Sequence, residues 1–418
     1  MENKKEIVIF AGDYFPFPSP NGVCLKNITD VIKDEFKITI IAYNQDNGKK
    51  NRSIDGVDYI FISSPSMRLY NVCRFKKGFL YKALSAFLRL IRGLKTAFFW
   101  LRFDRKYFLK CISETKKLCK TKKIDAIVAA CYPFSAIYAA YKCKKKLGID
   151  YITYILDVYS EAKNLRKVCL FKKAYKKKDA KKEMTVFENA KMNFLSEGFL
   201  KAKAFGQIKE KGIPYQIIGF PLIGEERILA EKEKTDKEIR LFYAGTFIKG
   251  VREPNALMKV FSMSETEKLR LTICAVGDCN DELEKWAKPL HNVDFKGSVG
   301  REEANALAEQ ANFLINVANL NEHQIPSKIF EYFQTGKPII NFYNEEKQNE
   351  IFGGYGAVFN IPQKQSEMYA KALVDFCGKY KDKTVPIETV KKNYRQYTIK
   401  HISDLFKKEL NDCNGEKS

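Results

Sequence analysis

Short, almost wholly apolar runs recur along the chain, each closed by glycine, asparagine or a polar loop. Residues 6–12 (EIVIFAG) are the first. A strand buried on both faces shows no alternation of polar and apolar positions, so such runs predict strands of a parallel sheet covered by helices. The proline-bearing loop 13–22 follows, with Pro16, Pro18 and Pro20, then a helical stretch over 23–33 and a second strand over 37–42. Further strands are predicted at 59–62, 126–130 and 151–156, with helical sequence between the later ones. After the polar stretch 209–214 the same rhythm returns, with strands at 240–245, 271–277, 293–295, 313–317 and 338–341 and helices at 256–263 and 302–310. The pattern is α/β, with two doubly wound Rossmann-like domains facing a cleft at the carboxyl ends of their strands. A last helical pattern runs from Ile387 to about Leu410, long enough to cross back to the first domain. The expected division is 1–212, 213–386 and a returning helix and tail, 387–418.

Residues 79–112 break the rhythm. Apolar positions crowd together there, Phe98, Phe99 and Trp100 among them, but Lys82, Arg89, Arg92, Lys95 and Arg102 interrupt them too often for a membrane span. Most of the basic residues, on through Lys106 and Lys110, fall on about half of a helical wheel, leaving an apolar arc. The pattern serves an interfacial membrane segment and a core-packed helix with a solvated basic back equally well.

Composition narrows the classes. With 45% hydrophobic and 29% charged residues the chain is neither disordered nor fibrous, and 418 residues suit two or three domains. The eleven cysteines form no CxxC pair and the chain has three histidines, so no zinc site is expected. The start lacks the charged and apolar regions of a signal peptide, which predicts a cytoplasmic protein. The net charge of +23 is lopsided: residues 1–200 carry 40 basic and 19 acidic side chains, a net +21, against +2 for the remainder. The first half is therefore expected to face something anionic: a nucleic acid, an acidic small molecule or a membrane surface. The lysine run 172–182 reads more simply as a solvated helix face.

The most informative stretch is 321–340 (NEHQIPSKIFEYFQTGKPII). It predicts a loop, a helix opening at Pro326 and Ser327 and running through Gln334, Gly336 as its cap, and a strand after Pro338. The N–H groups of Ser327, Lys328 and Ile329 could hold a phosphate, and Glu331, one turn on, could reach a sugar hydroxyl pair. An ordinary capped helix with Glu331 in solvent is the alternative. Asp157 ends a strand, where cleft residues are expected, or caps a neighbouring loop. Gly277 and Gly297 either admit a base or simply turn the chain.

This stretch resembles the nucleotide-sugar motif of the GT-B glycosyltransferases, in particular the group-1 (GT4-like) family that builds bacterial surface polysaccharides. Other pieces are similar in order and spacing: 10–22 (FAGDYFPFPSPNG), 154–157 (YILD), 188–196, 217–221 (IIGFP) and 242–254 (FYAGTFIKGVREP). The resemblance implies an enzyme of EC 2.4 type, a retaining glycosyltransferase that passes a sugar from a nucleoside-diphosphate donor to a lipid-linked or other saccharide acceptor. It implies no metal and no cofactor, since cations would stabilise the departing diphosphate. By its implication Glu331 binds the ribose. Ser327 and Lys328, Arg252 and Lys249, and Gly22 and Gly245 meet the donor, while Asp157 lies on the acceptor side. His323 stands where the family has a glutamate, with Glu322 beside it, and is the second catalytic candidate. Thr246 stands where the family's diphosphate-binding arginine usually follows the strand glycine, which leaves Arg252 and Lys249 to supply the charge. A lipid-linked acceptor and the basic first half together imply peripheral attachment to the anionic inner face of the cell membrane.

Two other readings stand beside this one. A nucleotide-sugar epimerase uses the same pair of domains, but leaves the charge asymmetry unexplained. A nucleic-acid-binding protein would account for the charge, but the sequence carries no recognisable reading element, so no nucleic-acid partner is expected.

Overall fold

The computed structural model describes residues 4–46, 48–63, 104–161, 172–224, 238–320 and 328–413. The chain divides into two compact units, one made of Met1–Pro221 with Ile399–Ser418, the other of Leu222–Thr398.

The first unit runs β1 (Glu6–Phe10), α1 (Pro20–Ile32), β2 (Lys37–Tyr43), β3 (Asn51–Ile54), β4 (Val57–Ile62), α2 (Arg105–Leu118), β5 (Ala126–Cys131), α3 (Phe134–Leu147), β6 (Tyr151–Ile155), α4 (Lys172–Asn189), β7 (Met192–Ser196), α5 (Lys203–Glu210) and β8 (Tyr215–Ile218). Its sheet has the order β3-β4-β2-β1-β5-β6-β7-β8, parallel except for the β3–β4 hairpin. The inner strands are sealed on both faces: β5 and β6 are buried at every position. That is why they read as unbroken apolar runs. Tyr107 of α2 ties the helix to the sheet, its hydroxyl donating to the carbonyls of Ala11 and of Ile41 at 2.7 Å.

Helix α1 opens at Pro20, earlier than the expected Val23. Ser19 caps it, its Oγ accepting from the N–H of Gly22 at 3.2 Å, and proline suits the first helical position because its missing N–H has no partner there to lose. The basic amphipathic segment, as far as residue 103, lies outside the described residues. The remainder of it, from Arg105, is the start of α2.

The second unit runs β9 (Ile239–Phe247), α6 (Asn255–Phe261), β10 (Leu269–Gly277), α7 (Asn280–Ala287), β11 (Val293–Gly297), α8 (Arg301–Gln310), β12 (Phe313–Val317), α9 (Lys328–Thr335), β13 (Ile339–Tyr343), β14 (Val358–Pro362), α10 (Ala370–Tyr380) and α11 (Ile387–Asn393). The strand order is β11-β10-β9-β12-β13-β14, all parallel. The chain thus reverses its winding between β9 and β12, the position at which doubly wound sheets take ligands. Asn316, Asn341 and Asn360 stand in register on the last three strands. Asn316 donates to Asn341 (2.7 Å) and Asn341 to Asn360 (2.9 Å), forming an amide ladder that is buried at Asn316 and Asn341 and reaches the surface at Asn360. Lys337 is almost wholly buried, and its ammonium donates to the carbonyls of Ala308, Glu309 and Ala311 at 2.5–2.7 Å. It closes the C-terminal end of α8, where orphan carbonyls and the helix dipole both favour a cation.

The single C-terminal helix expected from Ile387 is two. Helix α11 stops at Asn393, because Tyr394 and Tyr397 turn into the second unit and pack on Phe333 (4.4 Å) and Phe330 (4.3 Å) of α9. A new helix, α12 (Ile399–Asp412), then belongs to the first unit. Its Phe406 stacks on Phe194 of β7 at 4.3 Å and meets Tyr154 of β6 edge-on at 5.6 Å. Lys5 donates to the carbonyls of Leu410 (3.3 Å) and Cys413 (3.0 Å) at the end of this helix. Among the described residues no helix is long and apolar enough to cross a membrane.

Candidate functional site

The carboxyl end of β9, at the reversal of winding, gathers several of the expected residues. Along this strand Tyr243, Gly245 and Phe247 share a face. The Tyr243 ring stacks on Phe247 at 4.5 Å, and a Cβ on residue 245 would come within 2.5 Å of the Tyr243 hydroxyl. Glycine at 245 is what lets the tyrosine lie flat along its own strand. The Tyr243 hydroxyl is buried and makes no hydrogen bond among the described residues. Burial pushes its pKa up to about 12, and the nearby Arg252 guanidinium opposes the rise.

Arg252 is set by a short chain of bonds. Ile248 and Arg252 exchange backbone hydrogen bonds across a tight turn, and the arginine Nε donates to Asn319 Oδ1 at 3.1 Å. The Asn319 carbonyl accepts in turn from Gln348 at 3.0 Å and Asn344 at 3.3 Å. The Nε bond orients the guanidinium beside Tyr243, and the two terminal nitrogens are not engaged by that bond. A planar fork held in this way suits a phosphate. Lys249 sits on the turn, exposed, with its backbone N–H on Asp278 Oδ1 at 2.9 Å.

Helix α9 contributes from the other side of β9. Lys328, its first residue, donates from Nζ to the carbonyl of Ala244 at 2.9 Å, next to Gly245. Ile329, Phe330 and Phe333 are buried in the core and anchor the helix. Glu331 is half-buried and makes no hydrogen bond or ion pair among the described residues. The neighbouring Tyr332 phenol is buried and its pKa raised, first by burial and then by Tyr243, so it stays neutral. Gly336 closes the helix with its N–H on the Phe333 carbonyl at 3.1 Å. Arg252, Gly245, Lys328 and Glu331 are thus brought together around one strand end. His323, Pro326 and Ser327 lie outside the described residues.

Gly22 and Asp157 belong to the first unit, and Asn21 links them. A Cβ at position 22 would approach the Asp13 carbonyl oxygen to 2.2 Å, so the first turn of α1 can fold against the loop only with glycine there. The adjacent Asn21 amide donates to the Cys131 carbonyl at 3.1 Å and lies near Asp157, where it favours the ionised carboxylate. Asp157 follows β6 and is exposed as a residue, although protein atoms crowd around its carboxyl. That crowding raises its pKa above the usual carboxylate range, with Asn21 opposing. The loop is held at Leu156, whose carbonyl accepts from Ser196 Oγ at 2.7 Å, and by Glu183, which takes the N–H groups of Tyr159 (3.0 Å) and Ser160 (3.2 Å).

Tyr243, Asn319, Asn21, Ser196 and Glu183 were not singled out by sequence reasoning. All but Tyr243 act on a residue far along the chain, and a tyrosine in an apolar run or a glutamate in a lysine-rich helix gives no local signal. Glu188, the acidic residue of the 188–196 segment, lies at the surface and pairs with Lys211.

No family model matches the chain, and no curated protein does. Its fold is shared with solved structures at low identity. Sucrose-phosphate synthase from Thermosynechococcus elongatus superposes with a TM-score of 0.59 at 10% identity, over 98% of this chain and 99% of that one. The catalytic domain of starch synthase IV from Arabidopsis thaliana, bound to ADP and acarbose, gives 0.60 at 8% identity, over 98% and 99%. The lipopolysaccharide outer core galactosyltransferase WaaB gives 0.53 at 11% identity, over 97% and 99%. The two-unit α/β architecture of this chain is therefore the GT-B fold of these glycosyltransferases.

Proposed function

We propose that the chain is a retaining glycosyltransferase that uses a nucleoside-diphosphate sugar. The observation that carries this reading is the convergence of a guanidinium, an ammonium and a half-buried carboxylate, Arg252, Lys328 and Glu331, on one strand end at the reversal of winding. Glu331 accepts from the ribose hydroxyls. Arg252, Lys328 and the N–H of Ser327 hold the diphosphate, with Lys249 adding charge from its turn. Gly245 gives the donor close access to backbone. When the bond from the anomeric carbon to the phosphate oxygen breaks, its electrons leave with the diphosphate, and these cations stabilise the growing charge in place of a metal ion. The acceptor hydroxyl bonds to the anomeric carbon on the same face and gives its proton to the departing phosphate. Asp157 orients that hydroxyl, and His323 contacts the donor sugar.

The acceptor in this reading is a lipid-linked saccharide of a surface-polysaccharide pathway, reached from the inner face of the membrane. The charge of the first unit supports it. Exposed Lys106, Lys110, Lys116, Lys145, Lys146 and Lys177 lie on α2, α3 and α4, three helices that pack side by side. A panel of nucleotide sugars tests the donor: at 100 times its dissociation constant the true one adds about 2.7 kcal/mol of stability, and no stabilisation by any of them overturns the reading. Transfer is then assayed with a lipid-linked saccharide and, separately, a soluble sugar phosphate, with the anomeric configuration of the product read by NMR. Transfer to the sugar phosphate alone would replace the lipid-linked acceptor.

A further inference from the structure

The five residues from Leu156 to Ser160 leave β6 as an arch with both feet pinned. At one foot the buried Ser196 hydroxyl holds the Leu156 carbonyl at 2.7 Å. At the other, the two oxygens of Glu183 on α4 divide the work, Oε1 accepting from Tyr159 N–H at 3.0 Å and Oε2 from Ser160 N–H at 3.2 Å. The Tyr159 ring lies flat against Phe134 of α3 at 4.3 Å, which fixes the same foot from a second direction. Asp157 stands between the feet, open to solvent. Glu183 itself is 1% exposed. A carboxylate that is taken out of water and accepts from two backbone donors of one loop has its geometry spent on that loop.

We propose that Glu183 is a positioning residue, whose ionised carboxylate holds the arch that presents Asp157 and whose protonation slackens it. The inference rests on the reading that Asp157 meets the acceptor. A carboxylate accepts on both oxygens, whereas the neutral acid has one hydroxyl oxygen that donates, so one of the two N–H groups loses its partner on protonation. Burial raises the Glu183 pKa to about 7, against the opposing bonds from Ser160 and Tyr159, so its charge changes within the neutral range. Among the described residues, the titratable groups around it are Tyr159 and Glu161 on the same loop, the buried Asp179 one turn back on α4, Cys131 at the end of β5, and Tyr132 and Asp157 beyond it. None of these is a cation. Lys182, its neighbour on α4, lies over the Tyr138 ring at 5.2 Å.

The test is amide hydrogen exchange of the full-length protein over residues 155–161, with transfer kinetics beside it. In the parent, after correction for intrinsic exchange, protection of the Tyr159 and Ser160 amides should rise as pH passes through 7. In Glu183→Gln it should be lower by about tenfold and independent of pH, while the β5 and β7 amides exchange as before. The same variant should lose kcat with little change in KM for the donor, and its rate should no longer rise across neutral pH. Glu183→Asp should recover part of both effects. Parent amides whose protection ignores pH overturn the proposal without any variant, as do Glu183→Gln amides that exchange like the parent's. A parent without transferase activity would sink the proposed reaction and leave the exchange result to decide Glu183.

Discussion

Arg252 and Glu331 differ in what their loss should remove. If Glu331 holds the ribose as proposed, Glu331→Ala deletes one charge-assisted hydrogen bond, costing roughly 1.5–3 kcal/mol, so calorimetry with a nucleoside diphosphate should show affinity falling by at least tenfold at unchanged melting temperature. Unchanged affinity takes Glu331 out of the site. Arg252→Lys keeps a charge but loses the fork oriented by Asn319, so turnover should fall more than affinity for the free nucleotide. Equal turnover in a transfer assay would put the guanidinium elsewhere. Glu183 makes a prediction of different sign from the usual acid. Its folded pKa, about 7, lies above the ordinary value of 4.5, so the folded state holds the extra proton between those two values. Its contribution to stability is therefore lost as pH rises through that window. Relative to the parent, Glu183→Gln should gain about 2 to 3 kcal/mol between pH 5 and pH 8 in denaturant unfolding, and a pH-independent difference would contradict it. The residues legible in the sequence were those whose type alone is chemical, Arg252, Lys328 and Glu331. Asn319 and Glu183 were not, since what marks them is a partner tens of positions away, and Tyr243 was not, because a tyrosine inside an apolar strand gives no signal of its own.

At the scale of elements, what the sequence disclosed followed burial only in part. Strands β1, β2, β5, β6, β12 and β13 are buried at nearly every position, and their unbroken apolar runs announce them. The edge strand β11, with exposed positions, was read as well, whereas β7, as buried as its neighbours, was not. Strands β3 and β8 are the edges of the first sheet and β14 an edge of the second, short and mixed in polarity, and pattern reading passed over them. The split between α11 and α12 escaped for another reason. Helical periodicity runs through Tyr394 and Tyr397, but those rings gain more by packing on Phe333 and Phe330 than by continuing the helix. The glycine-lysine-proline turn after α9 was read as part of a nucleotide motif, and here its lysine has a structural task in closing α8. Lys337→Met keeps the stem and removes the ammonium, leaving three buried carbonyls without their donor, and should cost about 1–3 kcal/mol in denaturant unfolding. An unchanged midpoint would mean that other donors cap α8.

For the whole molecule, the lopsided charge predicts attachment to acidic bilayers. Each basic residue near an anionic surface contributes about 1 kcal/mol, so the protein should float with vesicles of acidic lipid at low salt and be released as the Debye length shrinks from about 10 Å at 0.1 M to about 3 Å at 1 M. A protein that stays behind at low salt leaves the lipid-linked acceptor without its physical support. The path of the chain has a consequence of its own. The second unit is a continuous insertion within the first, whose core is completed only by α12, with Phe406 set against Phe194 and Tyr154. During synthesis the strands of the first unit leave the ribosome long before that helix does. At about 5–20 residues per second, Phe194 and Tyr154 wait for roughly ten seconds or more without their cover, while the inserted unit, contiguous in sequence, can fold as soon as it emerges. The first unit to be made is thus the last to be finished, and Lys5 closes the ring when it meets the carbonyls at the end of α12.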